Sequence, residues 1–167
     1  QPKSFLAGHR TIEGNRVSLL VDGATAFPAM LDAIARARTS VVLESYIFAA
    51  DATGERFMAA LIERARSGVV VRLLVDGVGT MGVPNAFFVA LEQAGGRVRI
   101  FRPPRVSWSW QRLWVRDHRK LLVVDDRIAF IGGLNISDDC APTSWHGGAW
   151  HDMHASVEGP AARELTK

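Results

Sequence analysis

Arg116-Asp117-His118-Arg119-Lys120-Leu121-Leu122-Val123-Val124-Asp125-Asp126-Arg127, running on into Ile131-Gly132-Gly133-Leu134-Asn135, is the stretch that decides how this chain folds. Leu121 to Val124 is an apolar run with the character of a buried strand, Asp125-Asp126 is turn chemistry, and Arg127 to Ile131 returns as a second strand. His118 and Lys120 stand just before the apolar run with a single residue between them. Side chains alternate across a strand with a period of two, so the imidazole and the ammonium project from one face. A nucleophile or base then sits beside a fixed cation, which suits attack on a phosphoryl group whose oxygens gain charge as the bond forms. The same alternation continues through Leu122 and Val124 and puts Asp125 on the opposite face. Its expected work is to fix the turn by accepting from backbone N–H groups, rather than to orient the imidazole.

Outward from that ribbon the chain alternates strands and helices. Val17 to Val21 reads as a short strand closed by Asp22-Gly23, and Phe27, Met30, Leu31 and Ile34 recur at helical spacing between Ala24 and Arg38. Pro28 belongs in a first turn, so that helix is expected to begin near Phe27. Ser40 to Phe48 is a second strand, Asp51 and Gly54 a turn, and Glu55 to Arg66 an amphipathic helix ended by Gly68. Val69 to Val75 is a central strand buried on both faces. Asn85 to Gln93 is a helix, Val98 to Phe101 a strand, and the motif strand is expected to run from Leu113 to Val124. Gly132 to Gly148 is a loop or short helix, His151 to Val157 a last strand, and Pro160 opens a helix. The pattern gives an α/β fold: a mixed, mostly parallel β-sheet with helices on both faces, in a single domain spanning residues 1–167.

Between the third strand and the third helix, Gly77-Val78-Gly79-Thr80-Met81-Gly82 matches the dinucleotide-binding fingerprint letter for letter. In that fingerprint the third glycine lies inside the helix, whereas Pro84 here marks a later helix start. The following strand ends in Arg102 and offers no ribose-binding acid. The run is therefore read as a plain glycine-rich loop.

Composition bounds the function. A chain of 167 residues can bury a substantial core, and no apolar run approaches the ~20 residues that span a bilayer. No charged-then-apolar leader pattern opens the sequence, and the lone Cys140 excludes an intrachain disulfide and fits a reducing compartment. Net charge is +3, and Arg97, Arg99, Arg102, Arg105, Arg112, Arg116, Arg119, Lys120 and Arg127 crowd the region of the motif. Such a patch suits phosphate-bearing partners, either lipid headgroups or nucleic acid; a solvated surface stripe is the bland alternative. Trp108, Trp110 and Trp114 interleave with Arg105, Arg112 and Arg116. They suit an interfacial loop of indoles at headgroup level beside lipid-pairing arginines, or equally a hydrophobic lid on the domain or on a second half.

His-x-Lys-x-x-x-x-Asp followed by Gly-Gly-x-Asn resembles the signature of the phospholipase D superfamily. Leu43-Glu44-Ser45-Tyr46-Ile47-Phe48, Gly68-Val69-Val70-Val71-Arg72-Leu73-Leu74-Val75-Asp76 and Trp150-His151-Asp152 are similar to the amino-terminal half of bacterial cardiolipin synthases. The resemblance implies a phospholipase D-like α-β-α sandwich, one half of a normally two-lobed enzyme. It implies that His118 attacks phosphorus to form a phosphohistidine, which an alcohol or water then resolves. Lys120 and Asn135 would hold the non-bridging oxygens, with Gly132 and Gly133 letting the backbone approach closely; no metal or other cofactor is implied. Any single histidine is more often structural, and the joint match at His118, Lys120, Asp125, Gly132, Gly133 and Asn135 is what sets His118 apart.

A nucleophilic histidine needs an acid to fix its tautomer. Asp152 is the first choice, since the family places a carboxylate on the strand after Gly-Gly-x-Asn. Glu44 is the second, against the alternative that it pairs with an arginine such as Arg72. His146, His151 and His154 could be imagined as metal ligands, but His151 and His154 fall on opposite faces of a strand. Family members unite two such motifs in one site, one histidine as nucleophile and the other as general acid. This chain carries one. It is therefore expected to need a second motif-bearing half or a homodimer partner, and to be nearly inactive alone. The leading expectation is phosphatidyl transfer on a phosphatidylglycerol-like phospholipid, as in cardiolipin synthesis, by an enzyme peripheral on the cytoplasmic face of a bacterial inner membrane or free in the cytoplasm. The alternatives are phosphodiester hydrolysis, as a phospholipase D or a nucleic-acid endonuclease, and a non-catalytic lipid- or partner-binding domain.

Overall fold

The structure is a computed structural model that describes residues 11–103, 115–148 and 150–166. Among them, seven strands form one sheet: β1 (Arg16–Val21), β2 (Ser40–Ser45), β3 (Val70–Asp76), β4 (Arg97–Phe101), β5 (Leu121–Val124), β6 (Ile128–Gly132) and β7 (Met153–Glu158). Helices α1 (Asp22–Ala35), α2 (Ala52–Arg66), α3 (Asn85–Gln93) and α4 (Pro160–Glu164) join or follow them.

The strands lie in the order β1-β7-β6-β5-β2-β3-β4. β2, β3 and β4 pair in parallel through the crossovers of α2 and α3, and the other four pairings are antiparallel. The sheet is mixed, as the alternation of elements implied. Strands β1, β2, β3, β4 and β6 share one direction while β5 and β7 oppose it, yet neighbours are more often antiparallel than parallel. The β5–β6 and β6–β7 connections turn straight back, and only strand–helix–strand units can return a strand in parallel.

One face carries the main core. Val41, Leu43, Val71, Leu73, Val75, Leu122, Val124 and Phe130 point into it and meet Phe27, Met30 and Ile34 of α1, Phe57, Met58 and Leu61 of α2, and Phe88 and Leu91 of α3. Phe27, Phe48, Phe57 and Phe130 are fully buried, each contributing about 1.5–3 kcal/mol by leaving water. The expected helix cover on the second face is partial. Ala162 of α4 packs on Leu121, Val123 and Ala129, while Val17, Leu19, Val21, Ile131 and Met153 stay exposed on β1, β6 and β7.

Several boundaries differ from expectation. Helix α1 starts at Asp22, so Pro28 lies inside it rather than in a first turn. Pro28 and Ala24 both lie on the exposed side of α1, so the Ala24 carbonyl, which proline cannot serve as an N–H donor, is open to solvent. Asp51 is the N-cap of α2, accepting from the Gly54 N–H at 2.9 Å, which starts that helix earlier than Glu55. The motif strand is shorter than Leu113 to Val124: residues 115–120 belong to no strand, and of these only Lys120 bonds to β6, its carbonyl accepting from the Gly132 N–H at 3.4 Å. Between β6 and β7 the chain makes two short 3-10 turns, Asp138–Cys140 and Thr143–Trp145.

Candidate active site

The edge of the sheet where β2, β3 and β6 end and β5 and β7 begin gathers the polar residues. A cavity of about 560 Å³ opens there, lined by Ile47, His118, Lys120, Gly132, Gly133, Asn135, Ser137, Asp139, Cys140, Trp150 and Asp152. The imidazole and ammonium therefore open on one space, although both precede the hydrogen-bonded part of β5. Arg119 between them goes the other way, onto Asp117 at 2.9 Å and Glu44 at 3.1 Å. That is the alternation an extended chain imposes.

Lys120 is buried, and its Nζ donates to the His118 carbonyl at 3.0 Å. Burial pulls its ammonium below the usual lysine range, while Asp152, Cys140 and Asp117 pull it back. The result is a desolvated cation whose field is little screened. His118 is exposed to the cavity, and its ring stacks on Tyr46 with centroids 4.0 Å apart and planes inclined by 28°.

Asn135 reaches the site because its segment pairs with the chain beyond β2. Phe48 and Ile136 form a parallel bridge, and the Ile136 N–H donates to the Ile47 carbonyl at 3.1 Å. Asn135 Oδ1 accepts from the Ile47 N–H at 3.3 Å, which leaves its amide NH2 as the donor side for a ligand. Gly132 and Gly133 lack side chains for a reason closer to hand than an approaching ligand. A Cβ on Gly132 would overlap the Met153 carbonyl, and one on Gly133 would overlap the Asp152 carboxylate.

Asp152 lines the cavity, held by an exchange of backbone bonds with the head of α1. The Asp22 N–H donates to the Asp152 carbonyl and the Asp152 N–H to Asp22 Oδ1, both at 2.9 Å. Asp22 also pairs with His151 at 2.7 Å, a contact that holds its carboxyl below the ordinary range. Among the described residues no hydrogen bond joins Asp152 to His118. Asp22 is a structural partner of the site that the sequence did not expose, since a residue 130 positions away completes it.

Asp125 does the work that parity assigns it. Its carboxylate accepts from the N–H groups of Arg38, Thr39 and Ser40 and from the Thr39 hydroxyl, at 2.7–2.9 Å for the shortest bond to each. Burial alone would raise its carboxyl, and these four donors together hold it low. With φ of 54° and 56°, Asp125 and Asp126 form the tight turn between β5 and β6. Glu44 lies on the far face of the sheet, outside the cavity, where burial raises its carboxyl against the pull of Arg119. Its partner is Arg119 rather than Arg72.

His154 is buried and accepts from the Leu134 N–H at 3.4 Å. Burial drops it to about 4, so it is neutral beside Lys120. His151 and His154 thus part as expected, one to Asp22 and one to the interior. Of the tryptophan–arginine loop, Trp108, Trp110, Arg112 and Trp114 lie outside the described residues. Arg116 turns inward, 3.3 Å from the fully buried Asp76, so it does not belong to an exposed lipid-facing loop.

Comparison with known proteins bears on the family and the fold. The family described as "Cardiolipin synthase, PLD-like domain" matches residues 30–145. The major cardiolipin synthase ClsA of Bacillus subtilis is 34% identical over 153 residues, covering 92% of this chain and 32% of that protein. Two solved structures share the fold. NucT from Helicobacter pylori has a TM-score of 0.72 at 17% identity, covering 92% of this chain and 91% of its own. Nuc from Salmonella typhimurium, a phospholipase D family member, has a TM-score of 0.66 at 20% identity, covering 92% and 90%. The chain spans about a third of the length of the curated relatives it matches.

Proposed function

This chain belongs to the family of phospholipase D-like domains of cardiolipin synthases, and on that premise we propose that it supplies one of two motifs in an enzyme that transfers a phosphatidyl group through a phosphohistidine. The observation that carries the reading is the shared opening of His118 and Lys120 on a cavity walled by Gly132, Gly133, Asn135 and Asp152. An imidazole nitrogen of His118 forms a bond to phosphorus as the bond to the leaving glycerol oxygen breaks. The desolvated Lys120 ammonium and the Asn135 amide take up the charge that grows on the non-bridging oxygens. Asp152, in the same cavity, is the carboxylate assigned to steady the imidazolium. A second histidine, from another motif-bearing half or a second copy, gives its proton to the departing alkoxide, and later takes one from the acceptor alcohol.

Among the described residues no helix is long and apolar enough to cross a membrane. Peripheral contact with an anionic bilayer fits Trp150, whose indole is exposed beside the cavity. The test is incubation with labelled phosphatidylglycerol vesicles and, separately, with labelled single-stranded DNA, paired with light scattering for the oligomeric state. Cardiolipin and glycerol as products, from a dimer or from the chain joined to a second half, support the reading. Phosphatidic acid alone indicates hydrolysis, cleaved DNA indicates a nuclease, and an active monomer contradicts the need for a second motif.

A further inference from the structure

The stacked ring of Tyr46 has no part in the transfer scheme above, and neither does the glycine-rich loop that follows β3. They belong together. Tyr46 follows the last residue of β2, and its ring lies flat on His118, with Lys120 Nζ 5.4 Å from the ring centre. Gly79 presses on the Tyr46 backbone so closely that a Cβ there would overlap the Tyr46 carbonyl and come within 3.3 Å of the ring carbon Cδ2. The loop is in turn gripped by Asp76. Its Oδ1 accepts from the Val78 N–H at 2.8 Å and from the Gly79 N–H at 3.2 Å. The other oxygen, Oδ2, accepts from the Asp117 N–H at 2.9 Å, one residue before His118. A single buried carboxylate, neutralised by Arg116, therefore holds the support of one ring and the stem of the other.

We propose that Tyr46 is the positioning residue of His118. The clamp formed by Asp76 and Gly79 presses the phenol ring against the imidazole and fixes its plane towards the cavity. This inference rests on the reading of His118 as the attacking group. An unrestrained imidazole turns about its χ2 angle, a broad and shallow torsion, so most orientations point its nitrogen away from phosphorus. A flat aromatic neighbour removes that freedom, and its negative face favours the positive charge that the imidazole acquires on phosphorylation. The requirement is for an aromatic ring, with no role for the hydroxyl.

The readouts are the ring-proton resonances of His118 and the steady-state kinetics of phosphatidyl transfer by whichever assembly is active, the homodimer or the chain joined to a second motif-bearing half. In the native protein the stack shifts the His118 ring protons upfield of those of exposed histidines. Tyr46→Phe keeps both that shift and turnover. Tyr46→Leu loses the shift and lowers kcat about tenfold with KM little changed, the size expected when one favourable ring contact and the pre-set orientation are lost. Gly79→Ala, remote from the reacting atoms, moves both readouts in the same direction by less. A leucine variant that keeps the upfield shift, or one that loses it and turns over as fast as the native enzyme, overturns the proposal. His118→Gln is run in parallel: turnover surviving in that variant overturns the underlying reading of His118, an outcome distinct from a failure at Tyr46 alone.

Discussion

Replacing Asp125 separates a structural from a chemical role for the acid of the His-x-Lys-x-x-x-x-Asp motif. The carboxylate collects donors from Arg38, Thr39 and Ser40 and ties the loop before β2 to the turn after β5. A hydrogen bond to a charged group contributes ~1.5–3 kcal/mol when sheltered and well under that when wet. This carboxylate is half-buried, and taking ~0.5–1 kcal/mol for each of the four donors puts Asp125→Ala at about 3 kcal/mol. Asp125→Asn keeps an oxygen for Thr39 and Ser40 and turns an NH2 towards Arg38, so it costs about 1 kcal/mol. Urea melts at pH 7 read both values, and turnover is measured at a temperature where each variant is folded. Because the folded state holds this proton more weakly than the unfolded chain, the native contribution is complete above the ordinary carboxylate range. It fades as pH falls below that range. Loss of turnover in Asp125→Asn with an unchanged melt would refute the structural assignment.

Asp152→Asn should lower kcat while leaving the urea midpoint in place, since its described bonds to Asp22 run through the backbone; near-normal turnover removes it from the reaction. Gly133→Ala should reproduce much of that loss by pushing the Asp152 carboxylate aside, and a crystal structure of the variant with an unmoved carboxylate would contradict it. His154, neutral down to about 4, makes the fold lose on the order of 3 kcal/mol between pH 6.5 and 4, because the unfolded chain takes up a proton that the native state refuses. His154→Leu should flatten that slope in melts across the range, and an unaltered slope would assign it elsewhere.

Much of the site was legible because it depends on alternation, which is local. Parity put His118 with Lys120, and Asp125 away from both, and needed no knowledge of what lay across the sheet. What parity could not reveal is partnership over long separations. Glu44 and Arg119 meet only because β2 pairs with β5, and nothing near either residue selects Arg119 over Arg72. The motif strand was read too long because an extended run has the same residue pattern with or without a ladder partner. Pro28 misled for a related reason: whether its missing N–H is tolerable depends on which side of α1 faces water, a property of tertiary packing. The contact of the glycine-rich loop with Tyr46 appears only once β2 and β3 lie side by side.

Transfer by this site requires a bond between His118 and phosphorus. Rapid-quench reaction of the enzyme with phosphatidylglycerol, alkaline digestion-compatible handling and mass spectrometry of the peptide carrying His118 would read it directly. The prediction is an acid-labile phosphatidyl adduct on His118 that forms and decays at the rate of turnover and is lost in His118→Gln. Turnover at full rate with no adduct on that peptide, or an adduct confined to a different residue, would contradict it.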